Sequence, residues 1–192
     1  LYMAIGGELV AVICIEDPLR EEAAEVIKEL REAGLSKIVM MTGDSERTAK
    51  AVAAQIGVDE YYSEVLPEDK AGFVEREKAA GRKVIMIGDG INDSPALSAA
   101  DVGIAISDGA EIAREIADVT IGADNLYEIV TLKAISNGLM KRIHKNYRSI
   151  ILVNAGLIAL GVTGMIQPTT SALLHNTSTL VIGLKSMQNL ID

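Results

Sequence analysis

Short apolar runs alternate with amphipathic segments from residue 9 to about residue 124. Residues 10–15 read as a strand. Asp17-Pro18 then offers a helix start with proline at the first helical position, and helical spacing over 21–33 runs until Gly34. A strand over 38–41 leads into a helix over 45–55 that Gly57 ends, and residues 60–63 fit a short strand. Pro67 opens a helix over 68–80, closed by Gly81. Strands over 84–87, 102–106 and 118–121 alternate with short helices over 94–99 and 110–116. Strands separated by helices of this length predict βαβ units in a doubly wound parallel sheet of the α/β class. Ligands of such sheets collect at the carboxyl ends of the strands. Thr42-Gly43-Asp44 and Gly88-Asp89-Gly90 both fall there.

Past Asn125 the pattern changes. A helix-compatible stretch over 125–149 carries Lys141, Arg142, Lys145 and Arg148. Two apolar segments follow, 150–166 and 173–184, parted by Gln167-Pro168 and free of acidic or basic side chains apart from His175. Together they predict a transmembrane helical hairpin. The first segment has 17 residues, the lower limit for a bilayer span. The second needs its polar flanks, 169–171 and 185–190, to reach across. Either segment alone also fits a buried core helix. The basic cluster directly before the first favours the membrane, since it obeys the positive-inside rule and leaves 1–149 and both hairpin ends cytoplasmic. Three regions result: an α/β domain over 1–124, a basic helical connector over 125–149 and the hairpin over 150–192.

Composition sharpens this division. Apolar residues make up 49% of the chain but aromatics only 3%, and 17 glycines supply turns, which suits strands covered by helices on both faces. The net charge of −9 is uneven: residues 1–140 hold 13 Lys/Arg against 26 Asp/Glu, and 141–192 hold five against Asp192. An acidic domain with a basic, apolar tail lacks the basic face that nucleic acid requires and suits a domain tethered to a membrane. Cys14 is the only cysteine, which excludes an internal disulfide and places it as a small hydrophobe within an apolar run. The chain opens at Leu1 with neither an initiator Met nor a signal peptide and reads as a piece of something longer.

Three short patterns carry candidate chemistry. In Gly88-Asp89-Gly90-Ile91-Asn92-Asp93, two carboxylates four positions apart on a glycine-rich turn are costly to hold together without a cation. Their oxygens, with room left for water and phosphate, suit Mg²⁺. The alternative is a turn in which Asn92 or Asp93 caps the next helix. The Thr42-Gly43-Asp44 turn offers a hydroxyl and backbone N–H groups to a phosphoryl oxygen, or else Asp44 or Ser45 as a helix cap. Lys70, one turn into the helix opened by Pro67, either reaches inward to an anion or stays solvated.

The order of these signals, a TGD turn, a Pro-x-x-Lys helix start and a GDGxND turn, resembles the haloacid dehalogenase-like phosphoryl-transfer fold. More specifically it is similar to the phosphorylation domain of P-type ATPases, and the resemblance rests on Glu16 to Arg20 (EDPLR), 41–44 (MTGD), 66–70 (LPEDK), 86–97 (MIGDGINDSPAL) and 100–106 (ADVGIAI). It implies a phosphoenzyme cycle in which an aspartate of an Asp-Lys-Thr-Gly-Thr motif takes the γ-phosphate of ATP. No such motif occurs in these residues. The nucleophile, the nucleotide-binding and actuator domains and most membrane helices are therefore expected upstream in the same polypeptide, and this stretch alone is expected to be inactive. By the same resemblance Asp89 is a Mg²⁺ ligand supported by Asn92 and Asp93. Thr42, with Gly43 and Asp44, binds the phosphoryl group, Lys70 neutralises it, and Asp17 and Arg20 lie near ATP at a hinge.

Two candidate spans after the phosphorylation domain resemble the heavy-metal branch of that family, which implies an exporter of a transition-metal cation in a membrane, that of a bacterial cell. Asn154 and His175 occupy its metal-site positions by resemblance, and a neutral imidazole suits a borderline divalent ion. The alternative is that His175 and its neighbours Asn176 to Thr179 only hydrogen-bond across helices. Asn176 and Ser178 depart from the cobalt-like subgroup, which leaves the metal open. Two rival readings are a soluble phosphatase of the same superfamily, which would need its own nucleophilic aspartate ahead of the TGD strand, and a membrane-anchored domain without catalysis.

Overall fold

The structure is a computed structural model, and it describes residues 2–12, 18–88, 92–106, 115–122 and 125–190. The chain divides into two compact units, Leu1–Tyr127 and Glu128–Asp192.

The first unit opens with a β-hairpin, β1 (Tyr2–Ile5) against β2 (Glu8–Val12). Gly6 and Gly7 join them with φ of 62° and 88°. Positive φ at both central residues is the signature of the two-residue turn whose twist matches antiparallel strands. This corrects the expected strand over 10–15 in a parallel sheet: its described part, 10–12, belongs to β2, and Ala11 and Val12 pair antiparallel with Met3 and Tyr2, because the glycines permit the tight reversal. The end of that expected strand, with Cys14, lies outside the described residues, as does most of the helix expected over 110–116.

The α/β portion follows. Helix α1 (Ala23–Glu32) buries Val26 and Leu30. Strand β3 (Val39–Met41) pairs in parallel with β4 (Glu60–Tyr62) across helix α2 (Glu46–Ile56). Helix α3 (Pro67–Ala79) precedes β5 (Ile85–Gly88), which pairs in parallel with β6 (Val102–Ile106) across the short helix α4 (Ser94–Ala99), and β6 pairs in parallel with β7 (Val119–Ile121). The expected single sheet is therefore two parallel pieces among the described residues, β3-β4 and β5-β6-β7. One core nevertheless spans both. Val74, Met86, Ala96 and Leu97 are buried together, with Met41 from the end of β3 packed against them.

One device recurs where each parallel pair begins. Asp59, just before β4, accepts from Ile38 N at 2.7 Å and from the Arg31 guanidinium at 2.8 Å. Asp101, just before β6, accepts from Val84 N at 2.9 Å and from Lys83 Nζ at 2.8 Å. Asp118, before β7, accepts from Gly103 N at 2.8 Å. A carboxylate thus satisfies a backbone N–H that the ladder has not yet reached.

The second unit is built from two helices, α5 (Tyr127–Val162) and α6 (Pro168–Ser186). The expected connector and first apolar segment form one continuous helix. Arg142 binds it to the end of α6, donating to the carbonyls of Ser186 at 2.9 Å, Asn189 at 2.6 Å and Gln188. Asn146 adds a bond to Ser186 Oγ at 2.6 Å. No helix among the described residues is long and apolar enough to cross a membrane. The reason is local. Helix α5 ends at Val162, before the apolar segment does, and Gly164 turns the chain with φ of 72°. Helix α6 carries the polar run from His175 to Thr179 at its centre.

Candidate functional site

The site assembles at the carboxyl ends of β3 and β5, whose last turns are fixed by different means. After β3, Thr42 N donates to Tyr62 O and Val65 N donates to Thr42 O, both at 3.0 Å, so the turn is clamped to the loop after β4. Glu64 N donates to Asp44 O at 2.9 Å, and Glu64 itself has φ of 54°. A non-glycine residue in that region is held by its surroundings, and such positions concentrate at sites. Thr42 Oγ1 donates to Asp44 Oδ2 at 2.7 Å and accepts from Asp44 N at 3.1 Å. The capping question is decided here: Ser45 caps α2, accepting from Thr48 N at 3.4 Å. Asp44 is left exposed, with its carboxylate on Thr42.

At the end of β5, Asp93 is buried, with 8% of its surface exposed, and Lys70 Nζ donates to its Oδ1 at 2.6 Å. Asp93 stands at the N-cap position of α4 but makes no side-chain cap bond. Its carboxylate is turned to Lys70 instead, so neither residue follows the bland alternative. The space for that carboxylate comes from Gly88. A Cβ built at Gly88 would lie 2.7 Å from Asp93 Cβ, a distance that real atoms do not tolerate. Lys70 is aimed from α3 by the Pro67 start and by Asp69, which accepts from Leu66 N at 3.3 Å. Met41, Ala71, Met86, Ala96 and Leu97 pack in one core, so the elements bearing Thr42, Lys70 and Asp93 are held to a common scaffold.

Arg20 is exposed and lies 3.9 Å from Glu22. Asn92 is exposed beside Asp93. Asp17 and Asp89 lie outside the described residues. In the second unit, His175 Nδ1 stands 2.8 Å from Asn154 Oδ1, which joins the two residues singled out on these helices. A carbonyl oxygen only accepts, so Nδ1 carries the proton in this pair, and in the neutral ring that leaves the lone pair on Nε2. Among the described residues no group of three or more His, Cys, Asp or Glu side chains could hold a metal ion.

Sequence patterns did not reveal Gly88 as the clearance for Asp93, although a glycine closing a buried strand is the available signal. The strained Glu64 carried no signal at all.

The haloacid dehalogenase-like hydrolase family matches residues 2–101, just over half of the chain. The chain belongs to that family. Beyond the matched stretch it remains similar to heavy-metal pumps almost throughout. It is 42% identical to the zinc-exporting P-type ATPase of Mycobacterium marinum over 183 residues, 95% of this chain and 25% of that protein. Identity to the manganese-exporting P-type ATPase of Mycobacterium leprae is also 42%, over the same shares. Among solved structures, the crystal structure of a zinc-transporting PIB-type ATPase in the E2.Pi state matches with a TM-score of 0.83 at 31% identity, covering 95% of this chain and 30% of that one. The chain thus spans about a quarter of the length of the curated relatives it matches.

Proposed function

We propose that this member of the haloacid dehalogenase-like family supplies the phosphoryl-binding half of an ATP-driven transition-metal exporter that works through an aspartyl phosphate. The observation that carries the reading is the Lys70–Asp93 pair, seated under Gly88 at the end of a parallel strand. A cation already positioned at a strand end costs little reorganisation when charge develops on a transferring phosphoryl group. Thr42 and the turn it shares with Gly43 and Asp44 would bind the phosphoryl oxygens, with Arg20 and Asp17 toward ATP. The donor set fits Mg²⁺, because a buried carboxylate at a strand end, four positions from a second in sequence, presents hard oxygens; Asp89 and Asp93, helped by Asn92, would hold it. Bound there, Mg²⁺ would neutralise phosphate charge.

The nucleophile is assigned to another segment of the same polypeptide. Among the described residues β3 and β5 each have one edge with no strand neighbour, yet Met41 and Met86 from these two strands share a core. One further strand between them would complete a single sheet. The hairpin helices fit a membrane only inside a larger bundle, where neighbours shield the polar centre of α6. There His175, held by Asn154, would offer Nε2 to the transported ion. Relatives are named for zinc, manganese and copper, which supports a transition-metal cation as the class of cargo. A membrane-anchored domain that binds Mg²⁺ or phosphate without turnover is the weaker alternative, because it asks of the part-buried Lys70–Asp93 pair only binding.

The test is phosphorylation of the full-length protein by ATP. Lys70→Ala should slow metal-dependent phosphoenzyme turnover on the order of 10²–10³-fold, and His175→Ala should abolish stimulation by metal. Unchanged turnover in Lys70→Ala would sink the reading. So would ATP hydrolysis by residues 1–192 alone that is lost in Asp89→Asn.

A further inference from the structure

On α5, Lys141, Lys145, Arg148 and Leu152 recur at intervals of four, three and four, which places them on one helix face. Together with Met140 and His144 they line a shallow surface pocket. Lys141, His144, Lys145 and Arg148 are all exposed. Among the described residues the three cationic side chains of this face enter no ion pair. Between Ile129 and Leu190 the sequence holds no Asp or Glu that could supply one. Like charges three and four positions apart on a helix repel, so this face carries an uncompensated cost. The neighbouring Arg142 differs: it is committed to three carbonyls at the end of α6. The cluster therefore contains one structural cation and three that are left over.

We propose that the face of Lys141, Lys145 and Arg148 is a binding site for the phosphate of anionic phospholipid headgroups. Charge complementarity selects the occupant. Arg148 presents a planar fork that matches phosphate, and the lysines act as point charges beside it. The apolar run that begins at Ile150, with Leu152 on the same face, continues the surface in the direction a lipid tail would need. His144, whose Nδ1 donates to Met140 O at 2.8 Å, adds a polar edge. A polybasic segment immediately beside an apolar helical stretch is the arrangement that senses the charge of a membrane surface. The proposal rests on the membrane placement argued above and deepens it by naming the lipid class and the residues.

The experiment is vesicle flotation of the 192-residue chain, with phosphatidylcholine vesicles compared with phosphatidylcholine vesicles containing phosphatidylglycerol. The unmodified chain should prefer the anionic vesicles, and high salt should erase the preference. The triple variant Lys141→Gln/Lys145→Gln/Arg148→Gln should lose on the order of 100-fold in partitioning onto anionic vesicles while matching the unmodified chain on neutral ones. Helicity by circular dichroism checks that the variant folds, and the salt titration tests the same point without any substitution. Equal partitioning of both chains onto anionic vesicles would overturn the headgroup site and leave the membrane placement standing. Flotation with neither vesicle type would overturn both. Salt-sensitive retention on duplex DNA without retention on anionic vesicles would assign the face to nucleic acid and overturn the proposal.

Discussion

Asp93 meets two demands that conflict in water. Its carboxylate must be close to a cation, and it must be out of solvent. Gly88 resolves the conflict by leaving the volume into which the carboxylate turns, and Lys70 supplies the charge at 2.6 Å. Gly88→Ala should therefore displace Asp93 and destabilise the first unit by about 1–3 kcal/mol, the range for overpacking a tight site. Chemical denaturation of Gly88→Ala beside Gly72→Ala checks this, since a Cβ at Gly72 meets only Arg76 Nη1 at 3.5 Å, an ordinary contact, at a residue without positive φ. An equal loss in both would remove the special role of Gly88. At this scale the sequence was legible in kind but not in partnership. Thr42, Lys70 and Asp93 stood out by their motif spacing. That Lys70 and Asp93 face each other depends on α3 and α4 packing against one core, and no local pattern records that contact.

The βα elements are started by carboxylates. Asp59 and Asp101 each accept a backbone N–H ahead of the neighbouring strand and a side-chain donor beside it, the guanidinium of Arg31 or the ammonium of Lys83. Those hydrogen bonds hold both carboxyls below their ordinary value of 3.8, the side-chain donor contributing most in each case. Glu46 is likewise held below its ordinary 4.5 by the hydroxyls of Ser63 and Tyr61. A depressed carboxylate binds a proton more readily in the unfolded chain than in the folded one. Its contribution is full above the ordinary value and disappears as pH falls through the depressed one. Stability of the first unit should thus decline below about pH 4, and Asp59→Ala/Asp101→Ala should be weaker at neutral pH with a flatter acid limb. Urea midpoints measured across the acid range would contradict this if the two profiles ran parallel. The order of helices and strands was readable because glycines and prolines punctuate it, as Gly57 and Pro67 do. The hairpin of β1 and β2 was not, because its apolar run also suits a parallel strand and only Gly6-Gly7 separates the two outcomes.

At the scale of the molecule, the second unit has almost no interior of its own. Ile129 is its one buried hydrophobic residue among those described, while Leu152, Ile158, Val162, Leu173, Leu180 and Met187 are exposed. Apolar surface on this scale marks a face made for contact with protein or lipid. The 192-residue chain should accordingly associate in aqueous buffer and disperse in mild detergent, as light scattering coupled to gel filtration would report. A monodisperse monomer in plain buffer would argue against that use of the surface. The hairpin itself was legible from Gln167-Pro168 and the two apolar runs, whereas the early end of α5 at Val162 depends on the turn at Gly164. In the first unit, β3 and β5 each have one edge without a strand neighbour among the described residues, over a common core. The strand proposed to lie between them would make the chain a natural half of a complementation pair. A separately made peptide of strand length, carrying alternating apolar residues, could be captured there in trans, and its capture would turn folding of this unit into a reporter of molecular encounter.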